Sequence, residues 1–302
     1  MTMPNFLVIG AAKSGTTSLH HYLRQHPDIF MCPKKDTFFF NFDGREPDFG
    51  GPGDNAWYEG RAVIDEAEYR ALFAGVTNES AVGEACAGYL YDPDAPARIH
   101  RLIPDAKLIA VLRDPAERAY SSFMQQVRDG IETTTDFAEA LSLEADRISQ
   151  NWRPIWHYRN RGLYFEQMSR YLEHFDRSQL HICLYEDLQQ NPIAMLKGIF
   201  AFLGVDPHFE PDVSARHNRA GIPASRILYR LIMSPNALKS VAKPLLPARL
   251  RAAVKSTVTE SDALLHRPDL PSALRRQLVG GLREDVLALQ EIVGRDLSHW
   301  LL

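Results

Sequence analysis

Residues Phe6–Leu23, FLVIGAAKSGTTSLHHYL, constrain what this 302-residue chain can fold into more than any other stretch. Phe6 to Ile9 is an apolar run that reads as a buried strand, and Gly10 to Gly15 is a small-residue loop. After Thr16-Thr17, the apolar positions Leu19, Tyr22 and Leu23 have helical spacing. A strand, a tight turn and a helix start together aim several backbone N–H groups and the positive end of a helix dipole at one spot, which suits a phosphate or sulfate. Lys13 adds a point charge inside the turn, and Thr16 and Thr17 add hydroxyl donors.

The general nucleotide-binding pattern GxxxxGK[ST] places its lysine after the second glycine. Gly10 and Gly15 keep that spacing, but Thr16 stands where the lysine belongs and the lysine lies earlier, at position 13. A shifted lysine argues against an ordinary ATPase or GTPase and for a related anion cradle. The bland alternative is a glycine-rich strand-to-helix turn with an incidental lysine. A net charge of −4 argues against bulk electrostatic binding of nucleic acid. Cys32, Cys86 and Cys183 have no metal-type spacing and sit in or beside apolar runs, so reduced, buried thiols and a reducing compartment are expected. The first strand begins almost at the N-terminus, leaving no room for a signal peptide, and no run of eighteen apolar residues occurs. The expectation is a soluble, cytoplasmic protein. No internal repeat, low-complexity tract or domain-sized linker divides the chain, so residues 1–302 are expected to form a single domain.

Further elements follow in order. Ile29–Cys32 is a short extended run, and Lys35-Asp36-Thr37-Phe38-Phe39-Phe40 sets charges beside three aromatics. Asn41–Gly60 reads as a long surface loop and Ile64–Phe73 as an amphipathic helix. Ala81–Ala85 is a strand with Glu84 near its C-terminal end, the edge at which open α/β sheets gather ligands. Ala95–Leu102 is a helix, and Lys107–Leu112 is the clearest buried strand. Arg113 emerges at that strand's end, Asp114 can cap a helix and Pro115 fits its first position, with Ser121 two turns further on. An arginine fork with a hydroxyl suits a terminal phosphate. Phe137–Ile148 reads as an acidic-faced helix, and Asn151–Arg161, with Trp152, Trp156, His157 and Arg159, as an acceptor-recognition wall or a packed surface loop. A helix opening at Gly162–Tyr164, a strand Leu180–Tyr185 and a helix Pro192–Leu203 ended by Gly204 complete the pattern. Beyond Ser225, helical segments alternate with breaks at Pro235, Pro244 and Pro247, ending in an amphipathic helix around Leu282–Leu297.

Taken together, these motifs resemble the sulfotransferases that use 3′-phosphoadenylyl sulfate (PAPS). Lys13-Ser14-Gly15-Thr16-Thr17 looks like their 5′-phosphosulfate loop. The run Arg113-Asp114-Pro115 through Arg118, Ser121 and Phe123 resembles the 3′-phosphate signature R-D-P-x-x-R-x-x-S-x-[FY] at every stated position. Lys35 to Phe40 is similar to the K-E-x-x-[FY]-F element of glycan-type and many bacterial members, with Asp36 in place of the glutamate that serves as, or near, the acceptor base. Gly83 to Tyr89 is close to GE-[AS]-S-P-x-Y. Tyr185-Glu186-Asp187-Leu188 resembles the cytosolic branch, in which that tyrosine lies against the adenine; core packing is the alternative for Tyr185. The resemblance also points to a basic loop at Arg216–Pro223, with Arg219 and Gly221 closing over the 3′-phosphate.

The resemblance implies a P-loop-type parallel sheet flanked by helices, with residues 5–223 as the PAPS-binding and catalytic core and 224–302 as a helical C-terminal region of the same domain. It implies sulfuryl transfer from PAPS to a hydroxyl or amine of a saccharide, lipid or secondary metabolite, releasing 3′,5′-ADP, with no metal. Such a transfer is an in-line displacement with a loose transition state, for which a protein supplies alignment and positive charge. Lys13 and the amides of Ser14 to Thr17 would hold the 5′-phosphate, and Arg113 and Ser121 the 3′-phosphate. The cytosolic members' histidine near the second strand is missing, which leaves Asp36 favoured as base and Glu84 second, with His20, His21 and His157 still open. A free aspartate titrates near pH ~3.9, so burial or a nearby anion must assist it. The rival classes are a nucleotide kinase of the same fold, which calls for a lysine after Gly15, and an inactive nucleotide-binding protein. Oligomeric state is not legible.

Overall fold

The computed structural model describes residues 2–214, 222–223, 265–266 and 268–302. Five short runs become strands: β1 Phe6–Gly10, β2 Ile29–Met31, β3 Ala81–Ala85, β4 Lys107–Leu112 and β5 Leu180–Leu184. Their order is β2-β3-β1-β4-β5, with β1 central, and all pairings are parallel. Parallel sheets bury both faces, which is why β1 is apolar throughout and every residue of it is buried. Side-chain alternation then divides the core. Leu7, Ile9, Val82, Leu108 and Leu112 face one side, beneath the helices Pro115–Arg128, Tyr164–Leu172 and Ser272–Val293. Phe6, Val8, Ile109 and Val111 face the other, beneath Thr16–Leu23 and Pro192–Leu203.

The chain runs outward from β1 to β2, returns to β3, then crosses β1 to reach β4 and β5. Strand order therefore reverses around β1, and the loops leaving β1 and β4 emerge side by side at the C-terminal edge of the sheet. A hydrogen bond from Ala11 N to Val111 O, 2.8 Å, ties the start of the loop after β1 to the end of β4. The expected parallel α/β sheet flanked by helices is present. A separate antiparallel pair joins Ile222–Pro223 to Leu265–His266. Among the described residues no helix is long and apolar enough to cross a membrane. Cys32, Cys86 and Cys183 are free and buried, and burial pushes their thiols up, those of Cys32 and Cys183 to about 12.

Several boundaries differ from the sequence reading. Asn41–Gly60 is no plain surface loop, because helical turns form at Phe39–Phe42 and Asp54–Tyr58. Asp54 is only 1% exposed. It accepts from Arg153 N at 2.8 Å and Trp156 Nε1 at 3.0 Å, and Arg153 Nε lies 2.7 Å away. These partners are about a hundred residues distant, so local polarity could not reveal them. By the same contacts Asn151–Arg161 is a packed segment, with Arg153, Trp156, His157 and Tyr158 buried. The helix expected over Phe137–Ile148 is two, Phe137–Ser142 and Glu144–Ser149. The helix near Ile64–Phe73 spans Glu66–Ala71, capped by Asp65. The last long helix spans Ser272–Val293, starting well before Leu282. Arg219, Gly221 and the breaks at Pro235, Pro244 and Pro247 lie outside the described residues.

Candidate active site

Gly15 is the pivot of the β1 loop. Its φ of +86° lies in the left-handed region, and a Cβ there would stand 2.4 Å from Leu188 Cδ2 and 3.2 Å from the Tyr185 ring. Only glycine lets the loop close against the Tyr185 element. The helix Thr16–Leu23 starts directly behind it, with no side-chain cap and no acidic residue in its first turn. The first intrahelical bond runs from Leu19 N to Gly15 O, 3.0 Å, so the helix begins at the glycine itself. Ser14 is fully buried, and its Oγ has no hydrogen-bond partner. A buried, unpaired hydroxyl beside an uncapped helix start fits an oxyanion ligand.

Lys13, also left-handed at φ 71°, carries the charge of the loop. Burial and the guanidinium groups of Arg128 and Arg113 push its ammonium down to about 7. So much positive charge in one place is what a multiply charged anion would relieve.

Arg113 leaves β4 as predicted and is 6% exposed. Its Nη1 donates to the Lys13 carbonyl at 3.0 Å, and its guanidinium lies 4.7 Å over the Tyr185 ring. Asp114 caps the following helix, accepting from Ala116 N at 2.9 Å and Glu117 N at 3.2 Å, with Pro115 at its first turn. Ser121 is buried on that helix. Arg113 thereby touches both Lys13 and Tyr185, while Gly15 packs close beside the Tyr185 ring, so residues from three separate strand ends are drawn together.

The two carboxylates part company. Asp36, at φ 56°, keeps a 36% exposed side chain whose Oδ2 meets Lys35 Nζ at 2.7 Å; its Oδ1 accepts from Ala87 N at 3.0 Å. Glu84 is fully buried. Strand alternation sets it on the same face as Val82, among the aromatics, instead of at the sheet's open edge. Its carboxylate accepts from Thr37 Oγ1 at 2.5 Å, Tyr69 OH at 2.6 Å and Tyr89 OH at 2.9 Å. Burial pushes its proton affinity up, and the three hydroxyl donors oppose that shift.

The histidines are engaged elsewhere. His157 holds Tyr91 OH at Nδ1, 2.9 Å, and the Trp152 carbonyl at Nε2, 3.0 Å; burial pushes it down to about 4. His20 Nε2 meets the Cys32 carbonyl at 3.0 Å, and burial lowers it too. His21 packs edge-on against His20 at 5.6 Å. Among the described residues no three His, Cys, Asp or Glu side chains group as a metal site.

Sequence reasoning missed the braces. From the last helix, Arg275 Nη2 reaches Asp114 Oδ2 at 2.6 Å. Arg295 pairs with Asp187 at 2.5 Å, and Trp300 Nε1 donates to Glu186 Oε1 at 2.8 Å. The acids of Tyr185-Glu186-Asp187 thus bind the segment that follows the C-terminal helix. No local signal encodes contacts across more than a hundred residues.

The sulfotransferase family model matches residues 4–211. The chain belongs to the sulfotransferase family. The chain is similar to the structure of a sulfotransferase from Alicyclobacillus acidocaldarius, with 35% identity, a TM-score of 0.78 and 99% of each chain covered. It is 30% identical over 220 residues to mouse bifunctional heparan sulfate N-deacetylase/N-sulfotransferase 4, a match covering 68% of this chain and 23% of that protein. It is 30% identical over 215 residues to mouse heparan sulfate glucosamine 3-O-sulfotransferase 3B1, covering 68% and 49% respectively. The chain therefore spans only part of the length of these curated relatives.

Proposed function

We propose that this protein transfers a sulfuryl group from PAPS to a hydroxyl or amine acceptor and releases 3′,5′-ADP. The observation that carries the reading is the single contact set in which Arg113 touches both the Lys13 carbonyl and the Tyr185 ring. It supports a ligand with a phosphosulfate at the β1 loop, an adenine against Tyr185 and a further phosphate at Arg113 and Ser121. Lys13, Ser14, Gly15, Thr16 and Thr17 would hold the 5′-phosphate, and Arg219 and Gly221 are proposed to close over the 3′-phosphate. Thr16 in the place of the nucleotide-triphosphate lysine disfavours a kinase.

Asp36 is proposed as the base, since it alone of the two carboxylates keeps an exposed face. Its oxygen takes the acceptor's proton as the acceptor oxygen or nitrogen bonds to sulfur. The bond from sulfur to the 5′-phosphate oxygen breaks on the opposite side, and the charge left on that phosphate falls to Lys13 and the loop amides. Similarity to heparan sulfate enzymes favours a saccharide acceptor. The buried, free thiols support a reducing compartment such as the cytoplasm, and residues 1–302 are proposed to act as one domain.

Calorimetric titration with 3′,5′-ADP, 5′-AMP and ATP, without metal, tests the donor site. Preference for 3′,5′-ADP that Arg113→Ala removes is the expected result, followed by PAPS turnover against a panel of acceptors. Equal binding of 5′-AMP, or preference for ATP with Mg²⁺, would overturn the reading.

A further inference from the structure

Thr37 stands between two residues forced into the left-handed region, Asp36 at φ 56° and Phe38 at φ 59°. Non-glycine residues hold such angles only where their surroundings over-determine them. Two sets of bonds do so here, and they come from β3 and the turn that follows it. At the end of β3, Asp36 N donates to Ala85 O at 2.9 Å, and just beyond it Ala87 N donates to Asp36 Oδ1 at 3.0 Å. From within β3, Glu84 Oε1 accepts from Thr37 Oγ1 at 2.5 Å.

Glu84 in turn is locked. Tyr89 OH lies 2.9 and 3.1 Å from its two oxygens and 3.0 Å from Thr37 Oγ1. Tyr69 OH closes the cage at 2.6 Å, its ring stacked on Phe39 at 4.1 Å. With Glu84 and Thr37 both at 0% exposure, no acceptor hydroxyl can approach this carboxylate.

We infer that Glu84 is a positioning residue that aims Asp36 by holding Thr37, and that it takes no proton from the acceptor. The inference rests on the reading of Asp36 as the base. Residues 36 and 84 are then two ends of one device, an exposed carboxylate fixed by a buried one. Replacing Glu84 by an amide keeps its volume but turns one acceptor oxygen into a donor, so Thr37 and the two tyrosines can no longer all be satisfied. Asp36 keeps its contacts with Ala87 and Lys35 but loses the peg beside it, and displacements of about 1 Å at a reacting group cost up to about 100-fold in rate.

The test compares wild type, Glu84→Gln, Thr37→Val, Thr37→Ser, Asp36→Asn and the double variant Asp36→Asn/Glu84→Gln. Release of 3′,5′-ADP from PAPS is followed with water alone and with a desulfated heparin oligosaccharide, beside 3′,5′-ADP affinity and crystal structures of Glu84→Gln and Thr37→Val. Expected is a kcat loss of about 10- to 100-fold in Glu84→Gln and Thr37→Val, with KM for PAPS and 3′,5′-ADP affinity within about twofold, as no donor contact changes. Thr37→Ser should restore kcat, and Glu84→Gln should add nothing on the Asp36→Asn background. In the crystals Asp36 should leave its left-handed conformation. Unchanged kcat with Asp36 in place would overturn the proposal. So would turnover that survives Asp36→Asn but not Glu84→Gln, which would make Glu84 the base. If Asp36→Asn alone is harmless, the base reading falls, while the coupling of Glu84 to Thr37 is still judged from the Asp36 conformation. Should Glu84→Gln fail to fold, the near-isosteric Thr37→Val carries the same test.

Discussion

The Arg113 guanidinium carbon stands 4.7 Å above the centre of the Tyr185 ring, and the same side chain donates to the carbonyl of Lys13 at 3.0 Å. One cation thus joins the ends of β4 and β5 to the loop after β1. An arginine stacked on an aromatic face has its fork held in a plane, and Glu117 Oε2, 3.5 Å from Nη2, holds it further.

Arg113→Ala should therefore weaken 3′,5′-ADP far more than 5′-AMP. Charge-assisted hydrogen bonds contribute about 1.5–3 kcal/mol, or roughly 10- to 150-fold in affinity. Calorimetry on both nucleotides measures the ratio, and an equal loss for the two would place the 3′-phosphate elsewhere.

Lys13 sets a pH dependence. With its pKa lowered to about 7, the free protein carries the ammonium below that pH and the neutral amine increasingly above it. An anionic nucleotide favours the ammonium, so binding above neutrality must take up a proton. Affinity for 3′,5′-ADP is expected to fall as pH rises from 6.5 to 9. Calorimetry at pH 8 in buffers of different ionisation enthalpy should register the uptake, and Lys13→Met should abolish it.

Gly15→Ala combines an unfavourable φ of +86° with a Cβ 2.4 Å from Leu188. Strain and overpacking of this kind cost about 1–3 kcal/mol each. Thermal melts should show a lower Tm, and nucleotide affinity should drop in step, because the loop can relax only by moving away from Tyr185.

Asp54→Ala leaves Arg153 buried without its carboxylate and Trp156 Nε1 without an acceptor. Removing one partner of a buried ion pair costs about 3–5 kcal/mol. Urea unfolding should report that loss, and protease sensitivity should rise within 41–60 and 151–157, the two segments that this carboxylate joins.

Much of this was legible in the sequence for a local reason. β1 and β4 are near-continuous apolar runs because a parallel sheet is covered on both faces. The loop from Gly10 to Gly15 and the Asp114-Pro115 helix start are written in residues that obey short-range backbone rules. Glycine spacing, the displaced lysine and the arginine at a strand end could therefore be assigned to turns at strand ends before any fold was known.

What the tertiary structure decided were relationships across long separations. Asp36 and Glu84 look equivalent as carboxylates near strand ends, yet alternation on β3 turns Glu84 into the aromatic core while the turn at Asp36 leaves its side chain partly exposed. The stretch 41–60 is polar enough for a loop, but Asp54 is drawn inside by Arg153 and Trp156. Arg275, Arg295 and Trp300 gain meaning only when the last helix packs beside Asp114 and the Tyr185 segment. Backbone geometry is a property of neighbours in the chain and can be read along it. Burial and pairing are properties of neighbours in space, and these the chain acquires only when it folds.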